Sequence, residues 1–134
     1  MDLLAAEARS ENMRRIRAKD TAPELAVRRF LHRNGKRFRL HRTDLPGSPD
    51  IVLTKNKVAI FVHGCFWHGH SCRDGRRPKS NLGYWNAKLD SNRRRDSRIL
   101  AEIRALGWRP LVVWACETHD PDKLRGLLVE INGL

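Results

Sequence analysis

"SPDIVLTKNKVAIFVHGCFWHGHSC", Ser48 to Cys72, holds two apolar runs, a turn and a cluster of coordinating side chains in one continuous segment. Ile51-Val52-Leu53 follows the turn cluster "DLPGSPD" and reads as a strand, and Asn56 sits in the next turn. Val58 to Val62 is the kind of apolar run that forms a buried strand. Together they predict a hairpin whose second strand runs straight into "FVHGCFWHGHSC". That stretch, Phe61 to Cys72, places three histidines, two cysteines and two adjacent large aromatics within twelve residues.

The patterning on either side supplies the rest of the fold. Thr21-Ala22-Pro23-Glu24 reads as a capping box with proline early in the first turn, and Ala26, Val27, Phe30 and Leu31 form one apolar helical stripe. Gly35 is the stop, and Phe38 and Leu40 alternate as a short strand. Beyond the cluster, Trp85, Leu89, Asn92, Asp96, Ile99, Ile103 and Leu106 recur at steps of four and three, one face of a long helix ended by Gly107. Trp108 to Trp114 reads as another strand, and Asp120-Pro121 opens a last helix with Leu124, Leu127, Leu128 and Ile131 on one side. The expected order is α-β-β-β-α-β-α, which makes a mixed sheet flanked by helices.

With 134 residues the chain is expected to form a single domain over 1–134. Twenty-seven Lys and Arg oppose fifteen Asp and Glu, for a net charge of +12. Such a surplus points to a polyanion as partner, because each neutralised phosphate releases counterions. The plainer alternative is a basic solvated surface without a ligand. A membrane surface fits less well, since no segment pairs a basic face with a broad apolar one. Three cysteines cannot all pair internally, and no signal peptide is apparent at the N-terminus. Both features suggest a reducing cytoplasm, where such clusters more often bind metal.

Cys65, His70 and Cys72 put three soft ligands within reach of one ion. If the strand before Cys116 lies near the hairpin, that thiol closes a tetrahedral set of three cysteines and one histidine, the pattern of structural zinc. The alternative is three reduced core cysteines. His63, Phe66, Trp67 and His68 are not used by this reading. Asp50 suits a turn as well as a site. Asp96 falls on the apolar stripe, where an unpaired carboxylate is costly, so a histidine or arginine partner is expected.

"SPDIV", "HGCFWHGHSC", "YW", "RRRDSR" and "LGWRPLVVWAC" together resemble the Vsr family, the very-short-patch-repair endonucleases, from about Ser10 to Cys116. The resemblance implies a restriction-endonuclease-like core of the PD-(D/E)xK type and nicking of double-stranded DNA at T:G mismatches left by deamination of 5-methylcytosine. It implies two catalytic magnesium ions held by Asp50 and the backbone carbonyl of Val62, and one structural zinc ion on Cys65, His70, Cys72 and Cys116. His63 and His68 would be the active-site histidines, with Asp96 as partner of His68 and Glu24 as a nearby acid. Phe66, Trp67 and Trp85 would wedge into the duplex. Also implied are a monomer in the bacterial cytoplasm at the nucleoid, a DNA-contacting segment over residues 1–19 and a mismatch-repair protein partner. Val62 stands where the family often has Thr, and Gly69 and Ser71 replace a histidine-richer run. Two rival readings are a related nuclease of different or relaxed specificity and a non-catalytic zinc module that binds DNA. The second leaves Asp50, His63, His68 and Asp96 without a role.

Overall fold

A computed structural model describes residues 21–133; the segment 1–19 expected to contact DNA lies outside them. Helix α1 (Ala22–Arg33) leads to strands β1 (Arg39–Leu40), β2 (Ile51–Leu53) and β3 (Val58–His63), helix α2 (Leu82–Ala105), strand β4 (Arg109–Trp114) and helix α3 (Pro121–Asn132). Short 3-10 turns at Arg73–Gly75 and Ala115–Glu117 follow the coordinating loop and β4. This is the order that the patterning predicts.

Capping sets several boundaries. Thr21 accepts from the backbone N–H of Glu24 to start α1, and Asp120 accepts from that of Asp122 to start α3. Gly107 ends α2 with φ of 85°, a conformation that costs glycine least. The carboxylate of Glu24 instead bonds side chains of Arg28 and His41, so only the Thr21 half of the expected capping box forms.

The sheet order is β1-β2-β3-β4. β1 and β2 pair antiparallel, β2 and β3 form the predicted hairpin with Ile51 opposite Ile60, and β3 and β4 run parallel. The parallel pair follows from the long excursion through α2, since adjacent parallel strands need a crossover. Its register, from Val58 opposite Arg109 to His63 opposite Trp114, brings the carboxyl ends of both strands together.

Both sheet faces are covered, which is why the strands read as unbroken apolar runs. On one face, ten buried residues join α1, α3 and the strands, among them Val27, Leu31, Ile51, Ile60, Leu127 and Ile131. On the other, Val52, Ala59 and Phe61 pack with Leu45 and Ile103, and Ile99, Leu100 and Trp108 adjoin them. Burying each large aliphatic side chain contributes roughly 1.5–3 kcal/mol, against about 0–1 kcal/mol for an exposed ion pair. These two apolar layers therefore hold the fold, and the many surface arginines do not.

Four details depart from the sequence reading. Phe38 precedes β1 and packs against the first core, so the strand is only Arg39–Leu40. Trp108 precedes β4 and carries the Arg42 guanidinium 5.6 Å above its ring. Leu106 is 55% exposed although it falls on the periodic stripe, because it caps α2 beyond the last residue packed on the sheet. Trp85 belongs to neither core; it packs instead on the aromatics of the coordinating loop.

Candidate functional site

The adjacent carboxyl ends of β3 and β4 and the start of β2 surround a cavity of about 550 Å³. Glu24 from α1, Asp50 before β2, Val62 and His63 from β3, His68 from the loop, and Arg95 and Asp96 from α2 all line it. Open sheets with parallel strands place their sites at such carboxyl ends, where loops diverge.

Antiparallel pairing with β3 brings Asp50, just before β2, beside the end of β3. Its Oδ2 accepts the backbone N–H of Val62 at 2.7 Å. The contact to Val62 thus uses the amide, whereas the resemblance assigns a role to the carbonyl. Burial raises the pKa of Asp50 above the usual carboxylate range, and the neighbouring Glu24 adds to the rise. A cation beside both carboxylates would reverse that strain.

His63 and His68 stack face to face, with ring centroids 3.8 Å apart and planes 2° from parallel. His68 Nδ1 meets Asp96 Oδ2 at 2.5 Å. The carboxylate on the apolar stripe thus has a histidine partner and not a helix arginine, and the contact assigns the proton to Nδ1. His63 is 7% exposed, and its Nδ1 is buried without a hydrogen-bond partner. Burial first, and the neighbouring His68 ring second, lower the pKa of His63 to about 4. At neutral pH it is therefore an uncharged imidazole with a lone pair to offer.

The cysteines lie just outside this cavity. Sγ atoms of Cys65, Cys72 and Cys116 and a ring nitrogen of His70 all fall within 4.8 Å of one another. β4 does lie beside the hairpin, so Cys116 joins the loop ligands. All three thiols are free, and His70 Nδ1 lies 3.6 Å from Cys116 Sγ. The His70 hydrogen bond draws Cys72 down to about 6, while burial and the neighbouring sulfurs push Cys116 up to about 12. Three crowded sulfurs resist ionising together unless a cation compensates them. The donor set therefore fits a thiophilic ion such as zinc, with no position left open.

Several supporting residues were not singled out by the sequence. Gly75 is one: a β-carbon there would fall 1.9 Å from the carbonyl oxygen of His70 and 3.1 Å from that of Cys65. Trp114 stacks on His70 at 4.2 Å and meets His63 edge-on at 5.2 Å, so one indole separates the cysteine cluster from the histidine pair. Buried Asn92, noted only as a stripe position, donates to the carbonyl of Trp67 at 3.0 Å and ties the loop to α2. Its polarity on an apolar stripe was the available clue.

Phe66, Trp67 and Trp85 gather into one cluster, with centroids 5.2 to 6.1 Å apart. Trp67 also lines the cavity, and Tyr84, 62% exposed, extends the cluster outward at 5.1 Å from Trp85. An exposed aromatic surface beside a cavity can stack on nucleic-acid bases.

Comparison with known proteins agrees with this picture. The family model described as "DNA mismatch endonuclease Vsr" matches residues 1–74. The chain is 53% identical over 130 residues to the type II nicking enzyme V.XorIIP of Xanthomonas oryzae pv. oryzae, covering 97% of this chain and 96% of that protein. It is 40% identical over 116 residues to the DNA mismatch endonuclease Vsr of Escherichia coli K12, covering 87% and 74%. Among solved structures it is similar to the catalytic domain of the homing endonuclease I-Bth0305I. That match has a TM-score of 0.56 and 23% identity, and covers 84% of this chain and 94% of that one.

The burial of His63 has a direct test. Its unfolded-state pKa is near 6.5 and its folded value about 4, so the unfolded chain binds more protons between these limits. This group's contribution to stability is full above pH 6.5 and is lost on acidification towards pH 4, at an eventual cost of about 3 kcal/mol. In an NMR titration the His63 ring should stay neutral down to pH 5. A midpoint near 6.5 would show that the buried, unpaired placement is wrong.

Proposed function

The chain belongs to the Vsr family of DNA mismatch endonucleases and nicking enzymes, and from that premise we propose that it nicks one strand of duplex DNA at a T:G mismatch. The observation that carries this reading is the cavity itself. It sets two carboxylates opposite an Asp96-held histidine and is bordered by the aromatic cluster through Trp67. The proposed unit is a single monomeric domain with a restriction-endonuclease-like core, with residues 1–19 contributing to DNA contact. Magnesium is the catalytic metal in this reading and zinc the structural one. The cellular setting is the cytoplasm at the nucleoid, with a mismatch-repair protein as a further partner. Among the described residues, no helix is long and apolar enough to cross a membrane.

Phosphodiester hydrolysis needs charge neutralised at the phosphate and an activated water. Asp50 and the Val62 carbonyl would hold magnesium, with Glu24 beside them. The bound metal supplies a Lewis acid and lowers the pKa of water. Val62 N–H fixes Asp50 Oδ2, so the carboxylate cannot swing away. Asp96 fixes His68 through Nδ1, leaving Nε2 as the acceptor for the proton of the attacking water. Water oxygen then bonds to phosphorus as the P–O ester bond breaks, and the departing oxygen takes a proton from solvent. His63, neutral and stacked on His68, keeps that ring in plane without competing for the proton.

Specificity in this reading begins with deformation. Wedging Phe66, Trp67 and Trp85 into a duplex costs a few kcal/mol per unstacked step, least where pairing is already weak. A T:G pair is therefore cheaper to open than the C:G pair it replaces. Relatives named as type II nicking enzymes favour a second reading, a family nuclease of different specificity.

A panel of all mismatches in varied flanking sequence, with and without magnesium, separates these readings. Preference for T:G with magnesium is expected, and indifference to mismatch would leave only the second. Asp50→Asn should abolish nicking while duplex binding persists, because binding rests on the basic surface; nicking at the wild-type rate would remove Asp50 from the reaction. Cys116→Ser should lose stoichiometric zinc and lower Tm by about 10 °C or more. Metal-free protein with an unchanged Tm would dismiss the zinc assignment. Trp67→Ala should keep fold and zinc yet lose discrimination between mismatched and matched duplex, whereas full preference would confine the aromatics to packing.

A further inference from the structure

His41 lies one residue beyond β1, outside every motif that the sequence offers. Its φ is 48°, in the left-handed region that a residue with a side chain seldom adopts without local compensation. The compensation is visible on both sides of the residue. Its backbone N–H donates to the carbonyl of Asp50 at 3.1 Å, and its Nε2 lies 2.9 Å from Glu24 Oε2. Ligand-type atoms of Glu24, His41 and Asp50 all fall within 4.8 Å of one another. Glu24 and Asp50 line the cavity, whereas His41 stands behind them.

We infer that His41 is a positioning residue that sets the separation of Glu24 and Asp50 by hydrogen bonding to both, so that the two carboxylates hold one divalent cation between them. This rests on the metal-dependent reading of the cavity given above. Glu24 belongs to α1 and Asp50 to the sheet, and two carboxylates brought together repel each other. Arg28 also binds Glu24 Oε2, but from one turn further along the same helix, so that contact fixes the carboxylate relative to α1. His41 ties it to the sheet. Both donors engage Oε2, so among the described residues Oε1 is left for the cavity. With Nε2 given to Glu24, His41 acts through that carboxylate and is not itself a ligand.

Two readouts test this: calorimetric titration of magnesium chloride into the DNA-free protein, and single-turnover nicking of a T:G duplex. His41→Ala should weaken magnesium binding about tenfold and slow nicking to a similar degree, with duplex affinity unchanged. His41→Gln should recover most of both, because its terminal amide N–H reaches the place of the imidazole Nε2–H. His41→Asn is too short and should not. Wild-type magnesium affinity in His41→Ala would overturn the inference. So would equal loss in the Gln and Asn variants, a comparison that decides the matter even if the Ala protein fails to fold. Asp50→Asn serves as the control. If it is inactive while His41→Ala is normal, only the role of His41 falls; if it nicks normally, the reading of the cavity falls with it.

Discussion

Parallel pairing of β3 with β4 is the constraint from which the rest of the site follows. It sets His63 opposite Trp114, so the loop after β3 and the turn after β4 leave the sheet side by side. Cys116 can then join Cys65, His70 and Cys72, although more than forty residues separate it from them in the chain. The same register brings the Trp114 indole between the cysteine cluster and the two histidines. A parallel pair needs a crossover, and here the crossover is α2, which delivers Asp96 to His68 and Asn92 to the loop backbone. One pairing thus organises both donor clusters.

Electrostatics divides the surface from the interior. The chain carries +12, yet acidic residues are placed inward where the chemistry is, with Glu24 buried and Asp50 and Asp96 half-buried. A basic exterior favours a polyanion at long range. Carboxylates anchored by His41 and the Val62 amide then make a small region of opposite sign inside that field. Membership of a family of mismatch endonucleases gives this polarity a purpose. The net charge attracts polyanions, while the clustered carboxylates offer oxygen donors to a cation.

Which parts were readable in advance depended on the kind of signal. Helices and strands were legible because their apolar residues recur at 3.6 or fill a short buried run, and because Thr21, Asp120 and Gly107 mark ends by local chemistry. Glu24 was ambiguous, since its spacing from Thr21 is also that of a capping box; only the positions of Arg28 and His41 show where its carboxylate goes. Leu106 kept the period but not the burial, because periodicity does not say where the sheet beneath the helix ends. His41 and Gly75 were illegible, one a lone loop residue and the other a glycine whose need arises from a distant backbone.

By itself the sequence determined the element order, the cluster of coordinating residues after β3 and the resemblance to one nuclease family, because each is written in local spacing. Tertiary structure alone decided which elements are neighbours. The parallel register, the His68–Asp96 contact, the stacking of His63 on His68 and the three-way meeting of Glu24, His41 and Asp50 join residues far apart in the chain. Their association is fixed by two apolar layers packing on opposite faces of one sheet, a condition that no short stretch of sequence contains.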